Sequence, residues 1–274
     1  MSIKKILNID RRIVWVIVLI LLGVPIARPI GLPIHVEQIT REYYNAIENL
    51  PPGSIVFACI DLEAGLWGEL GAQAIQTTQH LFDKDIFFIE VVFYRADAQT
   101  VFETMVLSEV NKRNKEYGVD WVNLGYIEGK ETAMAAVARN FLYSGKDAYG
   151  NDLASLSLMQ KATPMEDVDL FLQIQGSGYN VAAIRQFPVP FNVPAISGTM
   201  SMGLPEILTY YDAGIIDGIL NGLPGAAQYE FLRKSPGLAL RGMDAISLSH
   251  IFLLCLMLVI NILYVYDRYQ EREK

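Results

Sequence analysis

Two long apolar runs lie near the ends of this chain, and between them apolar residues come in short blocks separated by amphipathic stretches. The first run, "IVWVIVLILLGVPIA" from Ile13 to Ala27, is uncharged and follows a leader carrying Lys4, Lys5, Arg11 and Arg12. The second, "ISLSHIFLLCLMLVINILYVY" from Ile246 to Tyr266, contains His250 and ends in the aromatic residues Tyr264 and Tyr266. About 20 helical residues cross the ~30 Å hydrocarbon core of a bilayer. The second run has that length, whereas the first must recruit flanking residues before Pro25 and Pro29 bend or end it. A basic start and a short apolar run also fit a cleaved signal peptide, but Pro25 and Ala27 do not make the small-x-small site that cleavage requires. The pattern predicts a leader (residues 1–12), a first membrane helix (13–33), a central domain (34–240), a second membrane helix (246–266) and a tail (267–274). The basic residues before the first helix place the termini in the cytoplasm and the central domain outside it.

The central segment alternates helix and strand patterns. "HVEQITREYYNAIENL" is amphipathic and stops at Pro51, Pro52 and Gly53, and "SIVFACID" is an apolar run of strand length. A helix from about Gly65 to Phe82 follows, then the strand "IFFIEVVFY", a helix "AQTVFETMVLSEVNKRNKEYG" capped by Asp97, and the strand "DWVNLGY". After a helix near Glu131 to Phe141, "YSGKDAYGNDLASLSLMQKATPMED" reads as a surface excursion, and "VDLFLQIQ" and "VPAISG" are the fourth and fifth strands. Such alternation is the signature of an α/β fold with a parallel sheet, and uninterrupted apolar runs mean that both faces are covered. A long crossover after the third strand returns the chain to the far side of the first. The expected fold is therefore a doubly wound, mainly parallel, Rossmann-like sheet of five to six strands, with order 3-2-1-4-5 and Ser54 to Ile60 central.

Composition reinforces the membrane reading, since 52% hydrophobic residues and a mean hydropathy of +0.26 exceed the usual range of soluble domains. A formal net charge of -8 argues against nucleic acid as a partner. Cys59 in a strand and Cys255 in the second membrane helix cannot pair.

In a doubly wound sheet, ligands bind outside the carboxyl ends of the strands at the point where strand order reverses. Asp61 and Glu63 follow the first strand there, Arg95 the second, Gly176, Ser177 and Gly178 the fourth, and Ser197 and Gly198 begin "SGTMSMG" at the end of the fifth. A dinucleotide fingerprint needs G-x-G-x-x-G after the first strand. Gly65, Gly68 and Gly71 instead recur every third residue behind two acids that repel phosphate, and the Gly176 loop lacks a third glycine. No cofactor is assigned. The loops are either ordinary strand-to-helix turns or an anion or polar-ligand site built from backbone N–H groups. Asp61 with Glu63 fits acid–base work or a bound cation, against the commoner role of capping the next helix. His35, His80 and His250 fall on an entry helix, a surface helix and a membrane helix, so neither a metal cluster nor a histidine relay is expected. Glu90, inside "FFIEVVF", needs a basic partner or an exposed stretch of sheet, because a lone buried carboxylate is costly.

The segment "YYDAGIIDGILNGLPGAAQYEFLRK" carries Gly214, Gly218, Gly222 and Gly225, which permit close backbone approach within the domain or between subunits. Asn261 in the second membrane helix either seeks a partner across helices or meets water near the interface. Together they mark a candidate oligomer interface. "ENLPPGSIVFACID", "YGVDWVNLGYIEGKE" and "GIIDGILNGLPGAAQYE", between terminal apolar helices, resemble an uncharacterised family of prokaryotic membrane proteins. The resemblance implies the two-anchor layout and brings no activity. The functional expectation is a bilayer-integral scaffold or ligand-sensing module in a homo-oligomer, without an evident catalytic constellation. The alternative is a membrane-bound enzyme using the crevice on a small polar or phosphorylated substrate.

Overall fold

A computed structural model describes residues 10–110, 113–176 and 178–272, and the chain divides into a central unit, Ile34–Gly237, and a terminal unit formed by Met1–Pro33 with Leu238–Lys274. Lys4, Lys5 and Ser177 lie outside the described residues. The first helix, α1 (Arg11–Ala27), belongs to the terminal unit.

The central unit is built on a parallel sheet. Its strands are β1 (Ile55–Asp61), β2 (Phe87–Val92), β3 (Trp121–Tyr126), β4 (Leu170–Gln175), β5 (Ala195–Thr199) and β6 (Gly218–Asn221), in the order β3-β2-β1-β4-β5-β6. All five pairings are parallel. β1 is buried at every position between β2 and β4, as its unbroken apolar sequence predicts. The expected order is recovered, and β6 extends it on the β5 side.

Successive residues of a strand point to opposite faces, and each face has its own helices. Val56, Ala58 and Ile60 pack with Tyr43 of α2 (Gln38–Glu48), Leu70 of α3 (Trp67–Asp83), Val101 of α4 (Ala96–Val101), Leu107 of α5 (Leu107–Val110) and Tyr229 of α10 (Gly222–Leu232). On the other face Phe57, Cys59 and Phe171 pack with Met134 of α6 (Lys130–Arg139), Ile184 of α7 (Asn180–Gln186) and Ile207 of α9 (Leu204–Asp212). A short α8 (Pro188–Phe191) links α7 to β5.

Four expectations are corrected. The helix after β2 does not run on to Gly118: it passes through a π-helical turn, Phe102–Val106, into α5, and Asn114 then takes a left-handed conformation (φ 54) that no helix continues. Asp97 is not its cap, because Arg95 occupies that position and Asp97 lies in the first turn, held by the Arg95 guanidinium. α3 is no surface helix; every residue from Leu70 to Phe82 is buried, His80 included. The excursion between α6 and β4 is anchored, since Leu153, Leu158, Met159, Ala162 and Met165 enter the core beside Phe57 and Phe171. Their irregular spacing supports two 3₁₀ turns rather than a long helix, which is why no period advertises them.

The glycine-rich segment is consumed largely inside this domain. Gly218 opens β6 beneath α2, where a Cβ would collide with the Tyr43 backbone. Gly222 begins α10 at φ 52, and Gly225 is buried against Leu220. Of the four candidate interface glycines only Gly214 is exposed.

In the terminal unit, α11 (Leu238–Arg272) packs along α1. Among the described residues one helical stretch, Leu238–Tyr266, is long and apolar enough to cross a membrane, with 29 residues and a mean hydropathy of 2.4 over an 18-residue window. Its outward side chains include Leu254, Met257, Leu258, Ile262 and Val265. α1 is apolar after Arg11 and Arg12 and has 17 residues in all, about 26 Å at 1.5 Å per residue, short of the hydrocarbon thickness. The stretch after α1 is tied down by Asp244, whose carboxylate accepts from the N–H groups of Ile30, Gly31 and Leu32 at 2.8, 2.9 and 3.1 Å. Asn261 is exposed, and its amide donates to Met257 O of its own helix at 2.8 Å.

Candidate functional site

Two short rows of polar side chains cross the α7 face of the sheet at its carboxyl end. Asp61, Gln175, Thr199 and Asn221 are register partners on β1, β4, β5 and β6, and one step below them Cys59, Gln173 and Ser197 repeat the arrangement. Neighbouring strands are about 4.8 Å apart, so these groups stand shoulder to shoulder. Asn180, at the start of α7, closes over them by donating to Gly176 O and Thr199 Oγ1, both at 3.4 Å. Asp61 is 5% exposed, Gln175 1%, and Gln173, Asn180, Ser197 and Thr199 are fully buried.

Much of this polar capacity is unused. Asp61 Oδ2 accepts from the N–H groups of Tyr94 (2.7 Å) and Phe93 (3.3 Å), but its Oδ1 has no partner. Gln173 donates to Ser197 Oγ at 3.1 Å, leaving its carbonyl oxygen free. Neither end of the Gln175 amide is bonded, and the oxygens of Asn180 and Asn221 lack partners as well. Each such buried group costs about 1–3 kcal/mol, and several together call for an occupant.

At the Asp61 end of the row is a cavity of 130 Å³ lined by Asp61, Glu63, Leu66, Arg95, Gly176, Tyr179 and Met200, and Gln173, Gln175 and Asn180 lie behind this lining. Gly176 and Met200 are the residues after Gln175 and Thr199, so the strand ends form its floor. The Arg95 guanidinium is neutralised by Glu63 at 2.9 Å and Asp97 at 3.0 Å. Tyr179 stacks on Tyr94 with ring centroids 3.8 Å apart, and Lys130 Nζ lies 6.0 Å from the Tyr94 ring. Burial pushes the Asp61 carboxyl up to about 6, against the downward pull of the Tyr94 and Phe93 N–H groups and of Arg95. Burial, with the Asp61 carboxylate nearby, holds the Cys59 thiol far above its ordinary range, so it is no nucleophile. A larger hollow of 290 Å³ lies at the amino ends of β5 and β6, bordered by Asn192 and Asp217, and none of its lining side chains leaves a buried polar atom unpartnered.

Asp61, Glu63, Arg95 and Gly176 thus meet in one cavity. Asp61 caps no helix; it receives the end of β2, and Glu63 serves Arg95. Gly178 is exposed at φ 93 in the turn above. Ser197 lies beneath the cavity, bonded to Gln173. Gly198 is on the opposite face, pressed by the Gln73 side chain of α3, and so does not belong to the crevice. The sequence reading missed Gln173, Gln175, Asn180, Thr199 and Tyr179. Its signal was the Gln-x-Gln alternation in "LFLQIQ", which puts two amides on one face of an otherwise apolar strand.

Two further buried groups lie away from the polar rows. Glu90 is fully buried on the α3 face beside its register partner Asn123; neither carboxyl oxygen has a hydrogen-bond partner, nor has the Asn123 amide nitrogen. Burial, then Asp61 and Glu103, raises its pKa far above the carboxylate range, so it stays protonated and has neither the basic partner nor the exposed stretch of sheet that were the two expectations. His80 sits between Tyr229 Oη (2.7 Å from Nδ1) and Glu48 Oε2 (2.8 Å from Nε2). Burial lowers its pKa to about 4, outweighing the Glu48 hydrogen bond. The neutral ring therefore donates from Nε2 to Glu48 and accepts from the Tyr229 hydroxyl.

Among the described residues no group of three or more His, Cys, Asp or Glu side chains is arranged to hold a metal ion. By sequence the chain matches no family model and no curated protein.

Proposed function

We propose that this protein is a membrane-anchored ligand-sensing module whose α/β domain takes a small polar ligand above the Asp61–Gln175–Thr199 row and which assembles with copies of itself. The observation that carries the reading is the convergence of unpartnered buried atoms on Asp61, Gln173, Gln175 and Asn180 at the strand ends. A protein that only scaffolds has no use for such atoms, and an apolar replacement at each would stabilise it. The anchor layout proposed is two-pass in a prokaryotic cell membrane, as the family resemblance implies, with α1 extended by its flanks beside α11. Arg11 and Arg12 at the start of α1 favour cytoplasmic termini and an extracytoplasmic domain. Self-assembly is supported by Asn261, exposed in the apolar helix, and is checked by the mass of the solubilised particle, which a monomer would refute.

The test is thermal unfolding of the detergent-solubilised protein against a panel of small polar compounds. A ligand at 100 times its Kd adds about 2.7 kcal/mol, which is a shift of roughly 5–10 °C at this size. Gln175→Leu is expected to unfold at or above the wild-type temperature and to lose the ligand-dependent shift. If every compound acts equally on both proteins, the crevice is not the site. A second reading, an enzyme, is favoured by one observation: Asp61 is a cavity carboxyl with a pKa of about 6, suited to general acid–base work near neutrality. Turnover of the bound compound, lost in Asp61→Asn while binding persists, would establish it.

A further inference from the structure

Resting on the ligand-sensing reading, we infer that the crevice takes a primary amine in its ammonium form and refuses phosphorylated and carboxylate compounds. The unused atoms set the polarity of the missing partner. Asp61 Oδ1, Asn180 Oδ1, Gln173 Oε1 and Gln175 Oε1 are acceptors, and the only unused donor among these four side chains is the Gln175 amide nitrogen. Asn180 cannot be turned round, because its nitrogen faces the Gly176 carbonyl, which only accepts. Gln173 faces the Ser197 hydroxyl, which can accept or donate, so its amide can rotate. Either way Asp61, which lines the cavity, and Asn180, which lies behind that lining over the polar row, are two acceptors that cannot be reversed.

The charges agree. Arg95 is the cation lining the cavity, and Glu63 and Asp97 already occupy it. With Asp61 ionised, these four residues sum to a net negative charge that a phosphate would have to enter against. The helix that follows β4 does not compensate, since α7 has seven residues and offers little dipole. An ammonium group reverses each objection: it brings three donors and no acceptor, and Asp61 supplies its counter-charge. The stacked faces of Tyr94 and Tyr179 stand beside it, the kind of wall that favours a cation. A cavity of 130 Å³ equals about four waters at ~30 Å³ each, which suits an aminoalkyl group and excludes a nucleotide.

The experiment is calorimetric titration of the full-length solubilised protein, in amine-free buffer at pH 7.5, with ethanolamine, putrescine, inorganic phosphate, acetate and glycerol as probes. Ethanolamine or putrescine is expected to bind, and phosphate, acetate and glycerol are not. Asp61→Asn, which keeps shape and removes charge, should weaken amine binding about 10- to 100-fold, and Gln175→Leu should weaken it as well. Choline, a cation without N–H donors, should bind at least tenfold more weakly than ethanolamine. Phosphate, acetate or glycerol binding that Gln175→Leu abolishes would overturn the amine assignment and leave the crevice as the ligand site. Amine binding that survives unchanged in both variants would place it elsewhere and overturn the inference. Should none of the probes bind in a way that depends on these residues, the inference falls. The ligand-sensing reading falls with it only if the wider thermal panel is also indifferent to Gln175→Leu.

Discussion

Glu90 is a carboxyl group with no exposed surface and no hydrogen-bond partner, and this makes its effect on stability depend on pH with a definite sign. Its pKa in the folded protein lies far above the ordinary 4.5. Below 4.5 folded and unfolded chains are both protonated there; as pH rises the unfolded chain releases the proton and the folded chain keeps it, so stability falls by up to about 1.4 kcal/mol per pH unit. His80 acts at the other end: its pKa is lowered from 6.5 to about 4, so stability present above 6.5 is lost as pH falls through that window. Glu90→Gln should therefore remove most of the decline between pH 5 and 7.5 and raise stability at pH 7.5, measured by urea unfolding of the solubilised protein. A variant with the wild-type slope would mean that Glu90 ionises in place. Glu90 and Asp61 were legible in the sequence because an acid inside an apolar run stands out. Gln175 and Asn180 were overlooked, because the Gln-x-Gln alternation marks a face without a chemistry until register sets Gln175 beside Asp61 and Thr199 and α7 lays Asn180 over them.

Elements show the same division between local and tertiary information. β1, β2 and β4 are mostly apolar runs of strand length, and their length and composition reveal them. β6 has four residues, opens on Gly218 and lies within a glycine-rich stretch, so nothing local separates it from a loop. What makes it a strand is β5 alongside and α2 above, and Gly218 is the position where they leave no room. Gly218→Ala should cost about 1–3 kcal/mol or more, the range for overpacking a filled site. Gly214→Ala is the control. Its φ is 70 and nothing lies within 4 Å of a Cβ there, so it should cost only the left-handed backbone strain of about 1–2 kcal/mol. Guanidinium unfolding of both variants tests this, and a Gly218→Ala protein as stable as wild type would mean that α2 does not rest on β6. The π-helical turn and the anchored excursion were illegible for a related reason: hydrogen-bond slippage and irregular apolar spacing carry no period to read.

For the molecule as a whole, the long C-terminal apolar helix was legible because so long an apolar run stands out, although the helix begins at Leu238, before the apolar run proper. The N-terminal helix is the harder case, because its 17 residues fall between a spanning and an interfacial length. The two possibilities differ in a measurable way. If α1 spans, both termini share one side of the membrane and the central domain occupies the other. If α1 lies in the interface, the N-terminus and the domain share a side and only the tail after α11 is opposite. Single cysteines distinguish them, with Cys255→Ser removing the exposed native thiol and Cys59 silent because it is buried. Tyr149→Cys reports the domain, since Tyr149 is 48% exposed, and cysteines appended at each terminus report the ends. With a membrane-impermeant maleimide on intact cells, Tyr149→Cys should label at once and both terminal cysteines only after permeabilisation. Immediate labelling of the N-terminal cysteine together with Tyr149→Cys would show that α1 does not cross. Labelling of both termini with protection of Tyr149→Cys would keep two passes but reverse their direction, placing the crevice in the cytoplasm.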